Sequence, residues 1–462
     1  MKKTRRGVLR STSTAATGVL LAACGAGTAS NPAAQFKEPV TLEFAHRWEG
    51  VREPLIAQQI DSFAKVQPNI KISAQQLFCS GAGDPNCLGG MDLGKVTTQI
   101  AAGTPPDLFM VQSPFAADFA SRGSLKNLND HARRDKLDLN KTFYPALVTM
   151  STYKGNVIGF PQLSAGDTPY LFMSTAAFQE AGIDPTKPPT NWEDLVTMAQ
   201  RLTKKGGGAG GFDRLGMDFP SNPFIHYASK NNAKIISEDL TKVLFNSPEG
   251  IDTLQWMFNT SQQLYGQFSN RGAFMTAHTG QGTGAGRAPY YTNKVGMWNS
   301  GPWHFFEIFG EKQIHNPSFT YNVALLPHNA RNPQVKQNSL ADVVWLYSVP
   351  AGAKKVDAAY EWLKHITLGE GNRIFVKGQN RPSPALKINE DPDFSKDNPH
   401  WNTTIKKALE IMVPLPQTPA WNKIAAALSK MQSDTLNGTK APREAIAEAA
   451  REAQLALDEF KR

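Results

Sequence analysis

Residues 299 to 305 read "NSGPWHF", a Gly301-Pro302 turn that delivers Trp303 where a core position would bury the ring at less conformational expense. Other residues able to do chemistry are few. Cys79 and Cys87 close the short loop "CSGAGDPNC", in which two thiols can oxidise to a local disulfide; a metal site would want histidines or further cysteines close by, and none is there. The glycine-rich stretches "KKGGGAGG" and "GQGTGAG" suggest phosphate cradles, but position 285 is Ala where a dinucleotide turn needs a third glycine, and no Gly-Lys-Ser/Thr follows. They read as surface loops. There is no Gly-x-Ser-x-Gly and no His-Glu-x-x-His. What remains is a set of rings and hydrogen-bonding groups after two apolar runs: His46, Arg47, Trp48 and Glu49 after "VTLEFA", and Gln112, Ser113 and Phe115 after "PDLFMV".

The elements that must position these groups begin after an export signal. "MKKTRRGVLRSTSTAATGVLLAACG" joins a basic start to an apolar stretch too short and too polar in its flanks for a lasting membrane helix. Leu21-Ala22-Ala23-Cys24 resembles the lipobox that precedes a lipid-modified cysteine, and the paired Arg5-Arg6 leaves both the general and the twin-arginine export routes open. Residues 1–23 carry five of the nine net positive charges, so the remainder is only about +4 with its basic residues scattered. That pattern argues against a nucleic-acid partner. "GAGTASNPAAQFKEP" then suits a flexible tether over residues 24–37.

From Val40 the pattern becomes strand, helix, strand. Val40, Leu42 and Phe44 alternate, Leu55, Ile56, Ile60, Phe63 and Ala64 recur at helical spacing up to Pro68, and Ile70, Ile72 and Ala74 alternate again. A βαβ unit with a parallel pair follows. Ligands of open α/β sheets bind beyond the carboxyl ends of their strands, which makes the two polar runs candidates for one cleft. Further on, Thr190 and Glu193 form a capping box before Trp192, Ser247-Pro248 starts another helix, and Trp192 and Trp256 read as core. The closing stripe of Ile446, Ala449, Ala450, Ala453, Leu457 and Phe460 marks an amphipathic helix that packs on the fold.

Five segments, in order, resemble one family. They are "AAGTPPDLFMVQSPFAADFASRGSLKNLND", "KPPTNWEDLVTMAQRLT", "NKVGMWNSGPW", "VPAGAKKVDAAYEWLKHIT" and "PREAIAEAAREAQLAL". Together they resemble the extracellular solute-binding proteins of ABC importers, the family that includes maltose-type sugar binders, from about residue 38 to the C-terminus. The resemblance implies a two-lobed α/β fold of the periplasmic-binding-protein type (type II), with a ligand cleft between lobes joined by hinge segments. By the same analogy the first lobe is 38–150 plus 340–393 and the second is 151–339 plus 394–462. It also implies a monomeric carrier without catalysis or cofactor, anchored through Cys24 at the outer face of the cell membrane or in the periplasm, that hands its solute to permease subunits.

For the site, the resemblance implies Trp303 as a ring that stacks on a sugar face, held by Gly301 and Pro302, and Trp421 in "IMVPLPQTPAW" as a second. Asn222 and Phe224 in "SNPFIHY", Trp48 and Glu49 after the first strand, Asp167, Asp342 and Arg381 complete the expected ligand contacts, with Gln112 and Ser113 beside them. Two departures put the ligand in doubt: "YLFMSTAAF" lacks the family's Tyr-Asn-Lys-Asp, and "SLADVVW" lacks its glycines. An exported glycoside hydrolase using dispersed carboxylates such as Glu49 and Asp167 stays open, as does a binder of a polyol, amine or peptide.

Overall fold

The computed structural model describes residues 36–79, 87–88, 90–163, 170–220, 223–280, 288–305, 318–392, 396 and 398–460. Cys24, Asp167 and Asn222 therefore lie outside the described residues. Two five-stranded sheets organise the chain.

The first is built around the βαβ unit. Val40–His46 pairs in parallel with Ile70–Gln76, Val40 opposite Ile70 and His46 opposite Gln76, and on its other side with Leu108–Gln112. The run "LFMV" is buried at every residue, as a central strand covered on both faces requires. The crossover helix Glu53–Ala64 has Pro54 in its first turn and turns Ile56, Gln59 and Phe63 inward. Phe63 packs 5.0 Å from Trp362, and buried Gln59 is tolerated because its amide donates to the Gly371 carbonyl at 2.7 Å.

Trp345–Ser348 returns late in the chain and inserts antiparallel beside Leu108–Gln112, with Phe160–Pro161 beyond it at the sheet edge, where a proline is tolerated. This pairing corrects the expected boundary at 150. Phe160–Pro161 still belongs to the first lobe's sheet, and Tyr170–Ser174 belongs to the second. The two-residue strand was too short to carry a periodic signal.

The second sheet runs Lys204–Lys205, Phe212–Asp218, Val295–Ser300, Tyr170–Ser174, Tyr321–Leu325. Of the first glycine-rich stretch only Lys204–Lys205 join the sheet edge, and residues 206–211 form the connection to Phe212–Asp218. Trp298 is clamped in this lobe between Phe172, at 5.6 Å and 11°, and Tyr290, at 4.9 Å and 15°. The helix Trp192–Leu202 lies so close on the sheet that a Cβ at Gly216 would come within 1.7 Å of the Ala199 carbonyl oxygen. Its cap is Asn191, not Thr190: the Asn191 side chain accepts from the Asp194 N–H at 2.9 Å, and the Thr190 hydroxyl donates to the Asp194 carboxylate instead. Trp192 stacks on Trp256 at 3.9 Å. Pro248–Tyr265 starts as read, with Ser247 accepting from the Gly250 N–H.

The closing helix Pro442–Asp458 buries Ile446, Ala449, Ala450, Ala453 and Leu457 against Trp421–Leu436 and Pro248–Tyr265. Phe460 departs from the expected stripe: it follows the helix end and is 40% exposed. Between the lobes Ser339–Ala341 and Met412–Pro414 run parallel as a two-stranded ribbon, Leu340 opposite Val413. Among the described residues no helix is long and apolar enough to cross a membrane.

Candidate functional site

The site grows from the end of the Phe212–Asp218 strand. Asp218 is buried and held by Arg271 Nε and the Tyr290 hydroxyl, each at 2.6 Å. The Tyr265 hydroxyl donates to the Met217 carbonyl at 2.6 Å and accepts from the Phe219 N–H at 2.8 Å. The strand end is thereby fixed before the cis Phe219–Pro220 bond and the short helix Phe224–Ser229. That helix is tied to Trp421–Leu436, because the Phe224 N–H donates to Gln432 Oε1 at 2.6 Å.

A cavity of about 370 Å³ opens between these pieces, lined by Pro220, Pro223, Phe224, Ile225, Asp342, Trp421, Ala425, Leu428, Ser429 and Gln432. Its volume falls within the roughly 300–1,000 Å³ of small-molecule sites. Trp421, Ala425, Leu428, Ser429 and Gln432 recur at helical spacing and form one face of their helix. The same helix packs against Ser113–Ser121 of the first lobe, which sets the cavity at the lobe junction. Asp342 enters directly after the hinge strand Ser339–Ala341. Its Oδ2 lies 3.2 Å from His226 Nε2, while its Oδ1 is buried without a hydrogen-bond partner among the described residues. Among the described residues the lining holds this one carboxylate and no lysine, arginine or histidine.

The structure thus brings together Phe224, Asp342 and Trp421. Phe224 is 1% exposed and also packs edge-on to Phe245, so it divides its ring between core and cavity. Gly301 and Pro302 are buried and make the expected turn, from which the His304 N–H returns to the Gly301 carbonyl at 3.1 Å. Trp303 stays half-buried, has no aromatic partner among the described residues and is not in the lining of this cavity.

Other expectations are corrected. Trp48 is 3% exposed, packed 5.2 Å from Phe375 beneath Arg47 and Arg52; an aromatic at a strand end went to the first lobe's core. Ser113 is fully buried and its hydroxyl accepts from the Val344 N–H at 3.2 Å, so it fastens the returning strand. Arg381 is 7% exposed and sits within the first lobe, its N–H bonded to the Val376 carbonyl. Glu49 and Gln112 remain partly exposed with no side-chain partner among the described residues, and Gln112 lies opposite Trp345. Cys79 and Cys87 are joined by a disulfide. Among the described residues no cluster of His, Cys, Asp and Glu could hold a metal ion.

Sequence reasoning missed His226 and Gln432. His226 stood two residues beyond Phe224 in "SNPFIHY", and Gln432 lies three helical turns from Trp421, so the face of that helix was the available signal.

Two α/β lobes meet at a parallel two-stranded ribbon, and a cavity lies at their junction. The profile of the Bacterial extracellular solute-binding protein family matches residues 48–372. Among curated relatives, a protein of Brucella abortus named as a binding protein is 22% identical over 370 residues, covering 79% of this chain and 83% of that one. The sn-glycerol-3-phosphate-binding periplasmic protein of Escherichia coli is 22% identical over 322 residues, covering 65% of this chain and 64% of that one. Among solved structures, mannotriose-bound CpMnBP1 superposes with a TM-score of 0.72 at 21% identity, covering 90% of this chain and all of that one. An ABC substrate-binding protein from Listeria monocytogenes in complex with cycloalternan gives 0.71 at 20% identity, covering 91% of this chain and all of that one.

The chain belongs to the bacterial extracellular solute-binding protein family. It has the two-lobed α/β fold of maltose-type binding proteins and is a non-enzymatic, extracytoplasmic solute-binding component of an ABC importer.

Proposed function

We propose that the protein captures a neutral carbohydrate, a mono- or oligosaccharide, between its closing lobes and delivers it to the importer's permease while anchored to the membrane by a lipid on Cys24. The observation that carries this reading is the cavity in which Trp421 and Phe224 offer apolar faces and Asp342 offers an acceptor, with no lysine or arginine in the lining among the described residues. A sugar presents apolar C–H faces and hydroxyl edges, and it needs those two kinds of surface. A phosphate-bearing solute like that of the Escherichia coli relative would meet the Asp342 carboxylate with no lysine or arginine among the described lining residues to receive its charge. The mannotriose and cycloalternan in the similar structures support the same class.

A second reading has a specific basis, since a carboxylate beside aromatic rings also suits an organic ammonium ion. Calorimetry against mono- and oligosaccharides, polyols, amines and peptides separates the two. Saturable binding of a sugar with no response to amines supports the proposal, and the reverse pattern sinks it. For the anchor, Cys24→Ala should move the protein from the membrane fraction to the soluble extracytoplasmic fraction; retention on membranes would refute lipidation.

A further inference from the structure

We propose that the hinge carries a second ligand site, for an amphipathic anion with an apolar chain and a carboxylate head, whose occupancy is linked to lobe closure. A cavity of about 670 Å³ lies there, larger than the one holding Trp421, and only Ile225 lines both. Its walls come from three places: Lys154 of the first lobe, Ile236 of the second, and Leu340 and Val413 of the hinge ribbon itself.

The floor is apolar and open. Val413 is 38% exposed although it lies on a hinge strand beside buried Leu340. Exposed aliphatic surface inside a concave site is what an alkyl chain covers.

The rim supplies the charge. Lys154 stands at the tip of the Thr152–Val157 hairpin with φ 47°, followed by Gly155 at φ 79°, the left-handed pair of a tight two-residue turn that holds it forward. It has no carboxylate partner among the described residues, whereas Lys234 across the mouth pairs with Glu238 at 3.6 Å. Behind the wall Lys230 is buried and its Nζ donates to the carbonyl of Asn338; burial pushes its pKa down to about 7, so the fixed positive charge of the rim is that of Lys154. The cavity is therefore apolar below and net positive above.

Because opposite walls belong to different lobes and the floor to the hinge, rotation of the lobes changes the width of the cavity. An occupant that prefers one width shifts the lobe equilibrium, and the cleft ligand reciprocally shifts the occupant's affinity. The site stands apart from the carbohydrate reading, and its test needs no sugar.

The exported chain carrying Cys24→Ala is titrated by calorimetry with decanoate below its micelle concentration and with decyltrimethylammonium as the same tail with the opposite charge. Spin labels at Ser121→Cys and Lys205→Cys report the lobe-to-lobe distance. Expected are one saturable decanoate site, affinity at least about tenfold lower for the cation and for Lys154→Glu, loss of binding in Val413→Trp, and a shifted distance distribution with decanoate bound. Absence of saturable binding, equal binding of both head groups, insensitivity to Lys154→Glu, or an unchanged distance distribution would each overturn the proposal. Lys154 is exposed, so that variant leaves the fold intact even if the Val413 substitution does not.

Discussion

Asp342 and His226 meet across the start of the first lobe's return segment, Oδ2 to Nε2 at 3.2 Å, both nearly inaccessible to solvent. The contact fixes one carboxylate oxygen and leaves Oδ1, beside Trp421 and Phe224, without a partner among the described residues. A buried acceptor left unpaired costs about 1–3 kcal/mol, which a ligand hydroxyl would return on binding.

Asp342→Asn should therefore lower ligand affinity by about tenfold or more, since hydrogen bonds to charged groups contribute roughly 1.5–3 kcal/mol, while denaturant stability stays level or rises. Titration calorimetry beside urea unfolding makes the comparison. Unchanged affinity would remove Asp342 from the site.

Trp421→Ala should weaken binding by more than about 1 kcal/mol through loss of the stacking face. Trp303→Ala should do the same with no change in melting temperature, because that ring is half-exposed and has no aromatic partner among the described residues. If Trp303→Ala lowers the melting temperature and leaves affinity intact, the Gly301-Pro302 turn serves the lobe rather than the ligand.

Gly216→Ala tests the packing that holds the second lobe's sheet against its helix. The new methyl would sit 1.7 Å from the Ala199 carbonyl oxygen, so strand and helix must part, at a cost of about 1–3 kcal/mol or more. Gly207→Ala, with nothing within 4 Å, is the neutral control. Equal midpoints for the two variants in urea would contradict the close approach.

Stability should fall on mild acidification. Burial pushes His46 and His365 down to about 4 from 6.5, so between those values the unfolded chain binds more protons than the folded one. Their contribution is full above pH 6.5 and is lost as pH drops towards 4, by up to about 1.4 kcal/mol per pH unit for each histidine. Replacing both with Gln should flatten the profile of unfolding free energy over that window; an unaltered slope would exclude them as its source.

The fold was legible where burial wrote a period into the residues. Val40–His46, Glu53–Ala64 and Ile70–Gln76 follow from alternation and helical spacing, and the buried run "LFMV" marks the central strand. Phe160–Pro161 was not legible, because two residues carry no period and only the partner Trp345–Ser348 makes them a strand. Trp421 and Asp342, singled out through motif likeness, line one cavity. The burial of Trp48 and Ser113 was not legible, because a position at a strand end says where the backbone points, and the neighbours Phe375 and Val344, remote in sequence, decide where the side chains go. His226 stayed hidden because its meaning comes from Asp342, 116 residues away.

The late strand Trp345–Ser348 also sets an order of assembly. The five strands of the second sheet all lie between residues 170 and 325, whereas the first sheet waits for residue 348 to fill the gap between Leu108–Gln112 and Phe160–Pro161. Until then the emerging chain carries two unpaired strand edges, apolar and ready to pair with other chains. The sheet that begins first in sequence is thus completed after the sheet that begins second, and a holding chaperone that shields residues 108–161 until the return strand emerges would protect the chain at its most aggregation-prone stage.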